Sequence, residues 1–193
     1  QSDAVAQLAQ AKLALEHFCE FSQKKQEKRR AQIANDRSLL PIADFHGAIV
    51  EAVRSNQVVV LAGDTGCGKS TQVPQFLLHC GCDRVVVTQP RRISAVSLTR
   101  RVALETNNEF GSQIAHQIRF DSSRTGSTRV VFMTEGVLLR QAVGDPQLSQ
   151  YDVIVLDEVH ERHISTDLLL GLLKGRVLPA APNVRLVLMS ATV

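Results

Sequence analysis

The stretch VVVLAGDTGCGKSTQ, Val58 to Gln72, runs an apolar segment into a glycine-rich turn that ends in Lys-Ser-Thr. Its short, β-branched start predicts a strand over Val58–Ala62. The turn from Gly63 to Ser70 has the spacing G-x-x-x-x-G-K-[ST], and a helix is predicted to begin around Gly68. Glycines let backbone amides point inward around phosphate oxygens, at positions where a side chain would clash or φ would be forbidden. The helix start adds its positive end. Lys69 is then placed for the β- and γ-phosphates of a nucleotide, and the Ser70 hydroxyl for Mg²⁺. Gly63, Asp64, Thr65, Gly66, Cys67, Gly68, Lys69, Ser70 and Thr71 form the expected cradle.

A phosphate cradle of this kind works with a carboxylate that holds the metal's water shell. Tyr151-Asp152-Val153-Ile154-Val155-Leu156-Asp157-Glu158 supplies one: an apolar strand with Asp157 at its C-terminal end, where open α/β sheets bind ligands. Asp157 is the expected Mg²⁺ residue, and Glu158 beside it could polarise an attacking water or share in the metal site. Adjacent acids after an apolar run are commonplace at helix starts, and only their pairing with the loop gives them weight.

Further apolar runs at Arg84–Thr88, Val130–Met133, Val153–Leu156 and Arg185–Met189 predict parallel strands separated by helical stretches, with Asp44 as the cap of a helix through Arg54. Because these runs are uninterrupted rather than alternating, helices are expected on both sheet faces. The fold class is α/β, a doubly wound, mostly parallel sheet of the P-loop NTPase type.

Ahead of it, Ser2 to about Arg37 has no Gly or Pro and predicts one long helix, with Val5, Leu8, Ala11, Leu15 and Phe18 as an apolar stripe for packing. The basic run Lys24, Lys25, Lys28, Arg29 and Arg30 is read as a solvated face, with an RNA contact as the rival reading. Residues 1–38 are therefore assigned to a helical extension and residues 39–193 to the α/β domain.

The 193 residues are 44% hydrophobic and 21% charged, which excludes a disordered chain, and the net charge of +3 permits nucleic acid without arguing for it. Cys19, Cys67, Cys80 and Cys82 lack zinc-site spacing and are expected to be reduced thiols. No stretch resembles a signal peptide or a membrane span.

Asp157-Glu158-Val159-His160 with Glu161 and Arg162 resembles motif II of the DEAH-box RNA helicases of superfamily 2, with Val in place of the usual Ala. Thr88-Gln89-Pro90-Arg91-Arg92 is similar to that family's motif Ia, Thr134-Glu135-Gly136 to motif Ib, and Ser190-Ala191-Thr192 to motif III, all in the family's order. Within the family the chain looks most like a member associated with nonsense-mediated mRNA decay.

The resemblance implies a RecA-like first helicase domain that uses ATP, with other nucleoside triphosphates accepted, and Mg²⁺. It makes Glu158, Asp157, Lys69 and His160 catalytic and adds Arg101 as a stacking partner for the base. Arg91, Arg92, Thr134 and Arg119 become RNA contacts, with Phe120 near the RNA path and binding largely independent of sequence. Ser190 and Thr192 would couple the metal site to RNA through hydroxyl contacts with His160. It also implies a second RecA-like domain beyond Val193, bearing an arginine-rich motif VI, without which hydrolysis and unwinding are expected to be slight. RNA remodelling in mRNA surveillance, in the nucleus and/or cytoplasm and with protein partners at the N-terminal helix, follows as the expected role. The rival is an ATP-regulated scaffold with little or no unwinding.

Overall fold

The computed structural model describes residues 2–108 and 111–191. Contacts divide the chain into residues 1–39 and residues 40–193. In the first unit, helix α1 spans Ser2–Ser38. Among its described side chains, Leu15, Phe18 and Phe21 are exposed, so the packing expected of the stripe is not seen at Leu15 and Phe18. The side chains of Val5, Leu8 and Ala11 lie outside the described set.

The second unit is built on a seven-stranded sheet: β1 (Val58–Ala62), β2 (Val85–Gln89), β3 (Ile114–Ile118), β4 (Asp121–Ser122), β5 (Val130–Thr134), β6 (Val153–Leu156) and β7 (Arg185–Ser190). Their order across the sheet is β1-β7-β6-β2-β5-β3-β4. Every neighbouring pair is parallel except the β3–β4 hairpin. Helices α2 (His46–Ser55), α3 (Lys69–His79), α4 (Arg92–Glu105), α5 (Glu135–Gly144) and α6 (Ile164–Leu172) make the connections.

The uninterrupted apolar strands conceal a period of two. Val85, Val87, Val130, Phe132, Val153 and Val155 face one buried cluster together with Val53, Val73, Leu77 and Val102 from α2, α3 and α4. Val86, Val131, Met133, Ile154 and Leu156 face the other, with Leu138 from α5 and Leu169 from α6. Alternate residues project to opposite faces, and each face carries its own helical layer, so no position on the inner strands needs to be polar.

β1 departs from this rule. It is an edge strand, paired only with β7 among the described strands, and Val58 and Val60 are exposed while Val59 is buried. Asp44 does not cap a helix: it sits inside a 3-10 turn, Pro41–Phe45, and α2 begins after Phe45 with no side-chain cap bond. Pro41 fixes the local φ and favours this tighter turn. The hairpin strand β4 and most of β3 had no clear signal in the sequence, since Ala115-His116-Gln117 interrupts the apolar run. His116 is buried there, bonded to Asp121 Oδ2 at 3.0 Å and to Ser123 Oγ at 3.1 Å.

Candidate functional site

The parallel strands β1, β2, β5, β6 and β7 all run the same way, so their C-terminal ends share one rim of the sheet. On that rim stand Gly63 after β1, Pro90-Arg91-Arg92 after β2, Thr134 at the end of β5, Asp157 after β6 and Ser190 at the end of β7. The topology thus gathers at one edge what the sequence spreads over more than a hundred residues, at the place where open α/β sheets bind ligands.

The phosphate loop takes the backbone that its glycines allow. Gly66 and Gly68 have φ of 85° and 102°, in the left-handed region, and Gly68 is the residue from which α3 starts. A Cβ on Gly68 would meet Ile42 Cγ2 and Leu40 Cδ1 at 3.0 Å each. Lys69 is buried, its Nζ donating to the carbonyl oxygens of Gly63 and, at 2.9 Å, Asp64. Gly63 N–H donates to Ser190 O at 3.2 Å, which fastens the loop to the end of β7.

Asp157 is 1% exposed. Gln89 Nε2 donates to its Oδ2 at 2.6 Å and Glu158 N–H to its Oδ1 at 2.9 Å, and Ser70 also bonds to it. Burial raises the carboxyl above the ordinary aspartate range, and the bonds from Ser70, Gln89 and the Glu158 amide with the nearby Lys69 charge only partly offset this. Glu158 is raised as well, by burial and by the neighbouring Asp157 charge, against the opposing pull of His160 and Lys69. Its backbone is left-handed, φ 57° and ψ 36°, a conformation costly for a residue with a side chain and one that gathers at functional sites.

This donor set suits a divalent cation and a polyphosphate. A hydroxyl and a buried carboxylate bonded to one another are hard oxygen ligands, the kind Mg²⁺ takes, and the ammonium beside them supplies charge for phosphate. Leu40, Thr65, Gly66, Gly68, Lys69, Ser70, Thr71, Arg101, Glu105, Glu158 and Ala191 line one cleft of about 250 Å³. Asp64 and Cys67 line the opposite side of the loop, facing a second cavity with Ile42 and Val60. Cys67 Sγ lies 3.6 Å from Lys69 Nζ.

His160 Nδ1 accepts the Ala191 backbone N–H at 3.2 Å and stands 3.5 Å from Glu158 Oε2. Motif II and motif III therefore meet through the amide of the middle residue of Ser-Ala-Thr. Ser190 is buried at the end of β7, and Thr192 lies outside the described residues.

A separate groove of about 530 Å³ opens further along the rim, lined by Arg92, Arg119, Phe120, Thr134, Gly136 and Arg140 among others. Phe120 is 89% exposed, has φ 69°, and carries the Arg119 guanidinium 4.8 Å from its ring centre. Arg91 does not line this groove; it pairs instead with Glu161 Oε1 at 3.5 Å, tying the end of β2 to the tail of motif II.

Gln89, Glu105, Glu135 and Arg140 gain roles that sequence reasoning did not give them. Glu135 is buried and accepts the hydroxyls of Ser165 and of Thr166, the latter at 2.6 Å, joining the start of α5 to the start of α6. Arg140 follows Gly136 by one helical turn, a spacing that could have placed it beside Thr134.

Residues 44–193 match the family model of the DEAD/DEAH box helicases. The chain is 50% identical over 96% of its length to the human protein named "Probable ATP-dependent RNA helicase DHX34" and 51% identical over 93% to its mouse counterpart. It is 48% identical over 75% of its length to an Arabidopsis thaliana protein named "Pre-mRNA-splicing factor ATP-dependent RNA helicase DEAH10". The chain spans only 16% of the length of the human and mouse relatives and 21% of the Arabidopsis one. With a family model matched over residues 44–193, most of the chain, and a doubly wound, mostly parallel sheet beneath it, the chain belongs to the DEAD/DEAH box helicase family.

Proposed function

We propose that this chain is the ATP-binding domain, residues 39–193 after a helical extension of residues 1–38, of an ATP-dependent RNA helicase. The observation that carries the reading is the meeting of Lys69, Ser70 and Glu158 at one cleft, with the buried Asp157 bonded to Ser70, on the same rim as an arginine-lined groove.

The loop amides, with Lys69, bind the triphosphate, and Ser70 and Asp157 hold Mg²⁺. When bound, Mg²⁺ supplies charge that offsets the charge developing on the transferring phosphoryl group. Glu158 orients a water and accepts its proton; the raised pKa of its carboxyl brings it nearer to the operating pH and makes it a better base. Gln89 fixes the rotamer of Asp157 through its 2.6 Å bond, so that the carboxylate does not have to be ordered when ligand arrives. Arg101 contacts the base by stacking, which implies little discrimination among nucleotides.

In the second groove Arg92, Arg119, Arg140 and Thr134 bind phosphates of RNA, and Phe120 offers a face for a base. Arg91 acts less as a ligand than as a link, since Glu161 already engages it. Coupling between the two sites runs through Ser190 O on the Gly63 amide and Ala191 on His160, with Thr192 adjoining. A second RecA-like domain completes the catalytic apparatus, and protein partners dock on the N-terminal helix. The cellular role is RNA remodelling in mRNA surveillance, in the nucleus and/or cytoplasm, a reading supported by the likeness of its motifs to a family member associated with nonsense-mediated decay.

The test is binding of Mg²⁺·ADP and of a labelled single-stranded RNA. Lys69→Ala is expected to abolish the first and leave the second, while Arg119→Ala with Arg140→Ala does the reverse. Loss of both ligands in either variant, or of neither, would contradict the assignment.

A further inference from the structure

Glu105 is the last residue of α4, and its side chain is only 1% exposed. Its carboxylate accepts Arg101 Nε on Oε1 at 2.6 Å, and Gln72 Nε2 and Gln75 Nε2 on Oε2 at 2.8 and 2.7 Å. Gln72 and Gln75 belong to α3, the helix that opens at the phosphate loop, and Gln72 Nε2 also reaches Thr71 Oγ1 at 2.9 Å. Burial alone would raise the Glu105 carboxyl, but the bonds from Arg101, Gln72 and Gln75 outweigh it and hold the group below the ordinary glutamate range. A charge so placed is costly unless it is fully bonded, and here the bonds join two helices and an arginine.

Arg101 is the outward end of this network. Its side chain is 55% exposed and lines the cleft shared with Gly66, Lys69 and Ser70. A free arginine on a helix surface samples many rotamers; one bonded through Nε to a buried carboxylate, one helical turn away, samples few. A planar cation held in place beside a phosphate site is suited to stack on the base of a bound nucleotide, since little entropy remains to be lost on binding.

We propose that Glu105 is the residue that positions Arg101 against the nucleotide base, so that the loop sets affinity for phosphate and the Glu105–Arg101 pair sets affinity for the base. This rests on reading the cleft as a nucleotide site. Neither glutamine contributes to base contact directly; both keep Glu105 ionised and in place.

The experiment is titration of the chain with Mg²⁺·ADP and, separately, with Mg²⁺·tripolyphosphate, which has no base. Wild type, Arg101→Ala, Glu105→Gln, Glu105→Asp and the double variant Arg101→Ala/Glu105→Gln are compared, with thermal melts to check folding. Arg101→Ala and Glu105→Gln are each expected to weaken ADP about three- to tenfold, the range of a stacked cation, and to leave tripolyphosphate unchanged. The double variant should be no weaker than Arg101→Ala, because Glu105 acts only through Arg101. Glu105→Asp, which keeps a carboxylate but draws it back by one methylene from Arg101, should weaken ADP in the same direction and carries the test should Glu105→Gln melt too early. Additive losses in the double variant, equal weakening of tripolyphosphate, or unchanged ADP affinity in the Glu105 variants would overturn the proposal while the nucleotide site stands. Failure of wild type to bind either ligand would remove the nucleotide reading, and this proposal with it.

Discussion

Asp157 is held ionisable in a place that disfavours its charge. It is almost wholly buried, its carboxyl is raised by that burial, and a raised carboxyl opposes folding above its own pKa and ceases to do so as pH falls through it. Asp157→Asn removes the charge and keeps the shape. The unliganded variant is therefore expected to melt higher than wild type, by about 1 kcal/mol of stability, while losing all Mg²⁺-dependent stabilisation by ADP; calorimetry with and without Mg²⁺·ADP reads both. A lower melting point with the Mg²⁺ response intact would contradict this. Glu105 has the opposite sign: its lowered carboxyl adds stability that is fully present above the unfolded value of about 4.3 and is lost as pH falls through the folded pKa. Glu105→Gln should accordingly flatten the acid limb of the stability curve, measured by denaturation at pH 3 to 7 (about that range). At Glu158 the left-handed backbone costs about 1–3 kcal/mol in a residue with a Cβ. Glu158→Gly is expected to be neutral or stabilising in a melt, where glycine at an exposed helical position such as Glu51 costs about 1 kcal/mol.

At the scale of elements, the phosphate loop and α3 are held by the 3-10 turn before α2. Ile42 N–H donates to Cys67 O at 3.2 Å, and Leu40 and Ile42 approach Gly68 so closely that a Cβ there would meet them at 3.0 Å. Gly68→Ala therefore combines a positive φ with a clash, and is expected to cost roughly 2–4 kcal/mol of stability in chemical denaturation. Gly81 has a similar φ of 91° with nothing within 4 Å, so Gly81→Ala is expected to cost only about 1 kcal/mol. The loop, its strand and its helix were legible in the sequence because glycine, lysine and serine at fixed spacing have few other physical uses. The inner strands were legible as apolar runs, though not which residue faces which helical layer, since Val85–Val87, Val130–Met133 and Val153–Leu156 are apolar on both faces. What escaped was what depends on neighbours brought together by the fold: the exposure of Val58 and Val60 on the edge strand β1; the hairpin through His116, which bonds Asp121 and Ser123; and the partners of Asp157 and Glu105, which are Gln89 from β2 and Gln72 and Gln75 from α3. The contact of the largely exposed Arg91 with Glu161 at 3.5 Å was not legible either, since the two stand seventy residues apart.

At the scale of the molecule, two sites share one rim, the nucleotide cleft at the ends of β1, β6 and β7 and the arginine groove at the ends of β2 and β5. The groove presents Arg92, Arg119 and Arg140 without an acidic side chain among its lining residues. Binding there is expected to be set by phosphate charge, so replacing any one of the three with Ala should weaken RNA of any sequence alike and reduce the salt slope of log K by about 1, measured by titration at several salt concentrations. The backbone bond from Gly63 to Ser190 and the amide contact from Ala191 to His160 tie the phosphate loop and motif II to the end of β7. The most direct test is the rate of ATP hydrolysis, with and without RNA, in the chain extended to the length of its relatives, for wild type and Glu158→Gln. RNA is expected to stimulate the wild type, and Glu158→Gln to lose roughly a hundredfold or more of the stimulated rate while keeping its affinity for Mg²⁺·ATP. Equal stimulated rates in the two proteins would contradict the role given to Glu158 and the chemistry built on it.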